Sequence, residues 1–352
     1  MKKIQSLLIL LVLSTSIILG ADKNLRLIPA DNDNIVYIGR FDFSDMKNPK
    51  FMYSGCAIRT VFEGTSIEVI LKDDGLKNMF NVILDDSLFV LKTDRKDGRY
   101  VLASGLKKGK HKLEIIRRTE WHGGNTTFSG FYIDKNKKLE KPEIEERKIE
   151  FIGDSYTCGY GIEGKSNEEH FRYETENNYL TFGAVTARML NAEYATVCRS
   201  GIGMYQGYNA GKGFAMPVYY DTVVSGSNAV WDYRLFQPQV VVITLGGNDM
   251  EKDFDSTQFV NAYIKFLSKL RKNYPVAKII CIAGPSGEDD KWALYQSVVK
   301  SIVKEVGSNE KQVYYFAFSP FEMHGSDWHP NADEHRKMAE ELVPAIEKIT
   351  GW

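Results

Sequence analysis

The chain has 352 residues, 43% hydrophobic and 26% charged, an ordinary globular composition that excludes a disordered chain, a collagen-like repeat and a small disulfide framework. Forty-five basic residues against 46 acidic ones leave a formal charge of −1, so no positive field exists to hold nucleic acid. A chain this long is expected to form two domains.

Residues 1–20 carry Lys2 and Lys3 ahead of an apolar run, Leu7–Leu19, broken only by Ser14, Thr15 and Ser16. Thirteen residues fall short of the roughly 20 that span a bilayer. The pattern predicts a cleaved secretory signal, with a membrane anchor as the alternative. Cleavage leaves 43 basic and 46 acidic residues, a charge of −3. The expected location is secreted or periplasmic, with no membrane association after cleavage. Export permits disulfides, and Cys158–Cys198 is one pairing open to Cys56, Cys158, Cys198 and Cys281. Buried, reduced thiols are the default.

Residues 35–133 read as short strands separated by turns. They are Ile35–Phe43, Ala57–Phe62, Ser66–Leu71, Phe80–Leu84, Ser87–Leu91, Lys110–Ile116 and Thr126–Ile133. No helical periodicity interrupts them, so residues 21–138 are expected to form an antiparallel β-sandwich. The charge-dense run 135–148, KNKKLEKPEIEERK, ends this region, and 139–148 reads as a linker.

From 149 to 352 strands alternate with helices. Strands are predicted at Ile149–Gly153, Glu193–Val197, Val240–Gly246, Lys278–Ala283 and Val313–Ala317. Helices are predicted at Tyr179–Leu190, Thr257–Tyr274 and Trp292–Val306, and after Asn331. Asp255 with Gln258, and Asn331 with Glu334, have helix-start spacing. This rhythm predicts a three-layer α/β domain with a parallel sheet and its site at the carboxyl ends of the strands.

Four loops at such ends carry the chemistry. Gly153-Asp154-Ser155 places a serine at the sheet mouth, where it is a nucleophile or a plain helix cap. Ser200-Gly201 lets a backbone N–H approach a ligand, or is simply a turn. Gly246-Gly247-Asn248-Asp249 offers an amide donor for an oxyanion, or again a turn. Asp327-Trp328-His329-Pro330-Asn331 holds a histidine rigidly before a capped helix. Of six histidines, His324 and His329 lie on loops of this domain as serious base candidates, and His329 has the more rigid setting. The GxGxxG match at 159–164 is set aside because no apolar helix follows it, and the GxSxG, HExxH and EF-hand patterns are absent.

The series GDS, SG, GGND and DWHPN resembles the SGNH (GDSL-type) hydrolases over residues 149–350. With a preceding sandwich that carries GRFDF (Gly39–Phe43), and with GIGM at Gly201–Met204, the whole chain is similar to carbohydrate esterase family 2. That resemblance implies a jelly-roll-like sandwich joined to an SGNH domain, and O-deacetylation of plant polysaccharides such as xylan or glucomannan. It implies Ser155 as nucleophile and His329 as base, with the Ser155 and Gly201 N–H groups and the Asn248 amide as oxyanion donors. It implies no metal or cofactor. The family usually has Asp three residues before the histidine. Here Ser326 holds that place and Asp327 lies two before, so a Ser–His dyad is expected, with Asp327 as a weaker third member. Trp328 and Tyr205 are the first candidates for sugar contact, and Trp231 and Trp292 are looser ones. An SGNH esterase or lipase on lipid or peptidoglycan acyl groups is the alternative enzyme. A carbohydrate-binding protein with a retired site is the alternative outside catalysis. An acetylated polysaccharide or oligosaccharide is the expected partner.

Overall fold

The computed structural model describes residues 24–284, 290–310 and 312–352, so the predicted signal at 1–20 lies outside the described residues. The N-terminal part is a sandwich of two antiparallel sheets. Its strands are β1 (Leu25–Pro29), β2 (Val36–Ile38), β3 (Lys50–Phe51), β4 (Ala57–Gly64), β5 (Ile67–Asp73), β6 (Met79–Leu84), β7 (Ser87–Lys92), β8 (Arg99–Ala103), β9 (Gly109–Arg117), β10 (Thr126–Asp134) and β11 (Leu139–Glu140). One sheet runs β1-β10-β5-β8 with β3 beside β10, and the other runs β11-β4-β9-β6-β7 with β2 beside β4. Period-two burial builds its core. Thr60 and Phe62 of β4 point inward while Arg59, Val61 and Glu63 stay half-buried.

The predicted strand Ile35–Phe43 shrinks to β2. Gly39 turns the chain at φ 94°, and Arg40 then leaves the sheet to pair with Glu150 at 3.2 Å, both buried. Within the run read as linker, β11 pairs with Val61 and Phe62 and buries Leu139.

Beyond it lies a five-stranded parallel sheet, β13-β12-β16-β17-β18. It comprises β12 (Arg147–Gly153), β13 (Ala192–Cys198), β16 (Val240–Thr244), β17 (Lys278–Ala283) and β18 (Val313–Ala317). A ribbon of β14 (Gln206–Gly207) and β15 (Gly211–Lys212) stands apart. The helices are α1 (Ser155–Cys158), α2 (Phe182–Met189), α3 (Met216–Tyr219), α4 (Ser256–Asn273), α5 (Asp290–Glu310) and α6 (Ala332–Thr350). Alternation along β16 sends Val240 and Val242 to the layer holding α2 and α6, and Val241 and Ile243 to the layer holding α4 and α5. Both faces are thus covered, and the strand reads as one apolar run. The expected caps form: Asp255 accepts from Thr257 and Gln258 N–H, and Asn331 and Glu334 make a reciprocal box.

The two parts share one apolar core. Phe41, Phe51, Tyr53 and Cys56 of the sandwich cluster with Ile202, Met204, Met216 and Tyr220 of the α/β part. No helix among the described residues is long and apolar enough to cross a membrane.

Candidate active site

β12 delivers Ser155 to the sheet mouth. Asp154 caps the single turn α1 by accepting from Tyr156 N–H, and Gly159 ends that turn. Across the mouth, a short turn at Ser326–Trp328 precedes α6 and presents His329. The His329 Nε2 and Ser155 Oγ lie 2.9 Å apart, although 174 positions separate the two residues.

The other ring nitrogen fixes the tautomer. His329 Nδ1 lies 2.9 Å from the Asp327 carbonyl oxygen and 3.2 Å from that of Ser326. A carbonyl oxygen only accepts, so Nδ1 carries the hydrogen and Nε2 presents its lone pair to the serine hydroxyl. Burial lowers the His329 pKa, and the two carbonyls and the Asp327 charge only partly offset it. The imidazole is therefore neutral near pH 7, the form a general base needs.

Asp327 thus touches His329 through its main chain. Its carboxylate turns outward, accepting from Tyr160 Oη at 3.0 Å and Phe171 N–H at 2.9 Å, with His170 Nδ1 at 2.9 Å. Burial raises its pKa, but these bonds prevail and hold it below the ordinary carboxylate value. The cause is backbone shape: Asp327 and Trp328 are both left-handed, at φ 50° and 54°, which aims carbonyl 327 inward and side chain 327 outward.

Ser155, Gly201, Asn248, Trp328 and His329 line one cavity of about 550 Å³. Gly201 sits at φ 77°, a conformation that leaves its N–H unencumbered by a Cβ. The Asn248 amide donates to the Ile202 carbonyl at 2.9 Å and to Asp154 at 3.2 Å, which fixes its aim. Asp249, beside it, accepts from the N–H groups of Met204 (2.7 Å), Tyr205 (2.8 Å) and Gln206 (3.1 Å) and so pins the loop that follows Gly201. Burial raises its pKa to about 6 against those bonds, and burial raises that of Asp154 to about 7.

Tyr205 is not in the cavity. With its amide held by Asp249, its ring packs toward Phe254 and Phe259, and its hydroxyl accepts from Asp255 N–H at 2.7 Å. Tyr208, carried by the turn after β14, takes the cavity position and is 57% exposed. Trp292 also lines the cavity, whereas Trp231 is buried near Arg40. The four cysteines are free and buried, so the Cys158–Cys198 bridge does not form.

Comparison with known proteins bears on the family and the fold. Residues 37–142 match the family model described as carbohydrate esterase 2 N-terminal, and residues 151–337 match that of the GDSL-like lipase/acylhydrolase family. A solved family two carbohydrate esterase from Clostridium thermocellum, in complex with cellohexaose, superposes with a TM-score of 0.85. It is 39% identical, over 90% of this chain and 99% of that one. The chain belongs to carbohydrate esterase family 2. Cellulase/esterase CelE of Acetivibrio thermocellus is 40% identical over 92% of the present chain, which spans 40% of CelE's length. An acetylxylan esterase / glucomannan deacetylase of Cellvibrio japonicus is 29% identical over 92% of this chain and 91% of its own.

Among the described residues of this family 2 chain, one group has metal-ligand spacing: Glu120, His122 and Glu176, with ligand atoms within 4.8 Å of one another. Its surroundings suit hydrogen bonding better than a dication. Both Glu120 oxygens already accept from Ser200, and the His122 pKa, lowered by burial and raised by the Glu120 charge, is lowered again by the nearby cations Arg117, Arg199 and Lys77. Sequence reasoning passed over Glu120, because a lone glutamate after a strand carries no motif. It passed over Tyr208 because it lies beyond the loop that carries Gly201.

Proposed function

We propose that this protein is a secreted serine esterase that removes O-acetyl groups from plant polysaccharides such as xylan or glucomannan. The observation that carries this reading is the 2.9 Å approach of Ser155 Oγ to a neutral, tautomer-fixed His329 inside a cavity able to hold a sugar ring. His329 Nε2 takes the Ser155 proton as the oxygen attacks the acetyl carbonyl. The tetrahedral oxyanion is met by the N–H groups of Ser155 and Gly201, and the Asn248 amide joins them by releasing its longer, 3.2 Å bond to Asp154 while it keeps the one to Ile202. His329 returns the proton to the leaving sugar oxygen as the C–O bond breaks. Water then enters, gives its proton to His329 and frees acetate, and the proton goes back to Ser155.

Trp328, 60% exposed, and Tyr208 flank the mouth, where each offers an apolar face to a pyranose. The polysaccharide names of the relatives support this substrate class. The apolar run at residues 1–20 supports secretion.

Acetate release from acetylated xylan and glucomannan oligosaccharides tests the reading, with p-nitrophenyl acetate compared against p-nitrophenyl octanoate. Rapid release from the acetates and little from octanoate is expected, and Ser155→Ala should abolish it with the melting temperature unchanged. Preference for octanoate would move the substrate to lipid. Tight oligosaccharide binding without turnover would leave a binding protein.

A further inference from the structure

We propose that Glu120, a residue of the N-terminal sandwich, is a positioning residue for the oxyanion hole of the α/β domain. The inference rests on the esterase reading above and concerns how its anion site is held.

Glu120 lies in the connection between β9 and β10, which brings the sandwich against Ser200, just past the end of β13. It is fully buried. Its carboxylate faces Ser200, the residue directly before Gly201. Ser200 N–H donates to Glu120 Oε2 at 2.7 Å, and the Ser200 hydroxyl donates to Oε1. Both donors of one residue are thus gripped by one carboxylate from the other domain. The peptide that follows Ser200 bears the Gly201 N–H, so the grip sets the direction of that donor. Downstream, Tyr208 N–H donates to the Gly201 carbonyl at 2.8 Å, which holds the far side of the same residue.

The carboxylate is itself rigidly presented. The buried Arg117 guanidinium donates to the carbonyls of Thr119 (2.7 Å) and Glu120 (3.0 Å), closing the turn that carries it. Glu120 N–H donates to Glu176 at 3.3 Å, and Asn178 N–H donates to the Arg118 carbonyl at 3.2 Å. These bonds tie the turn to the α/β part at Arg118 and at Glu120 itself. A carboxyl group offers one oxygen to each of the two Ser200 donors, which suits it to this task. The sandwich thereby contributes to the geometry of the reaction as well as to the core.

The test compares Glu120→Asp, Glu120→Ala, Ser200→Ala and Ser155→Ala, by p-nitrophenyl acetate kinetics, melting temperature and the rate of inactivation by a p-nitrophenyl phosphonate ester. Glu120→Asp keeps the charge but withdraws it by one methylene. A displaced oxyanion donor should lower kcat about 10- to 100-fold with KM nearly unchanged, and slow phosphonate inactivation in parallel. Glu120→Ala should lose at least as much. Ser200→Ala deletes one of the two bonds at a half-buried position and should lose about three- to tenfold. Combined with Glu120→Asp it should add little, because both act on one contact. If Glu120→Ala does not fold, Glu120→Asp and Ser200→Ala decide the matter. Wild-type kcat in both, or a loss that appears as raised KM with unaltered inactivation, overturns the proposal. Wild-type turnover in Ser155→Ala would instead overturn the esterase reading on which it stands.

Discussion

His329 is oriented by a carbonyl, and that changes what each neighbour contributes. A carboxylate against Nδ1 stabilises the imidazolium by a full charge, whereas a carbonyl offers only its dipole. The Asp327 carboxylate points to Tyr160 and Phe171, so Asp327→Asn leaves the carbonyl contact standing. Its kcat should fall by less than about tenfold, against a loss of several orders of magnitude for His329→Ala, both read from p-nitrophenyl acetate turnover. A loss in Asp327→Asn equal to that in His329→Ala would make the carboxylate a full catalytic partner. The same geometry sets the acid limb of the pH profile. The base works only when neutral, and burial lowers its pKa below the ordinary 6.5. The limb of kcat/KM should therefore have its midpoint below 6.5, rising with pH. It should persist in Asp154→Asn, since Asp154 titrates near 7. The approach of Ser155 and His329 was legible in the sequence because each side chain sits in a strand-end motif of its own. The direction of the Asp327 carboxylate was not, because two consecutive left-handed non-glycine residues decide it.

The parallel strands and long helices were legible nearly to the residue. β17 and β18 match the predicted spans, because a strand covered on both faces is a continuous apolar run with sharp ends. The sandwich strands β1, β3 and β8 escaped because pairing, rather than pattern, defines them. The two-residue β3 exists only beside β10. Loops were legible as motifs and not as machinery, and Asp249 shows the difference. It reads as one more turn residue, yet it accepts three consecutive backbone N–H bonds from residues 204–206. Asp249→Ala would leave those buried donors unpaired, at about 1–3 kcal/mol each before relaxation. The expected result is a melting temperature lower by several degrees and a kcat reduced about tenfold or more, since Gly201 begins the same loop. Denaturant unfolding and steady-state kinetics check both halves. A stable variant with normal kcat would show that the loop holds itself.

At the scale of the molecule, the apolar seam between the two parts also encloses buried charge. Arg40 reaches from the sandwich to Glu150, and Glu120 and Glu176 face each other across the junction. None of this is legible in a sequence, because partners 110 or 56 positions apart obey no periodicity. It has a consequence for stability. Burial raises the pKa of Glu120 to about 7, with help from the Glu176 charge; it raises Glu176 to about 8 against its bond to Glu120 N–H and the Arg117 charge, and Asp154 to about 7 with help from the Asp249 charge. A carboxyl with a raised folded-state pKa stabilises fully below its unfolded value, and that stability drains away as pH climbs through the folded value. His335 acts in the opposite sense. Burial lowers its pKa to about 3, so its stability is present above 6.5 and is lost as pH falls from there. Between pH 6.5 and 8 the slope has one sign, because His111, raised above 6.5 by its bond to Asp85, and His324, raised by its bond to Glu334, lose stability in the same direction as the carboxyls. The melting temperature should drop across that interval, by more than net charge alone would give, and Glu176→Gln should flatten the drop. Calorimetry at constant ionic strength reads both. A melting temperature that rises from pH 6.5 to 8 would mean that the seam carboxylates are already ionised and paired with Arg117 and Arg118 in the folded state.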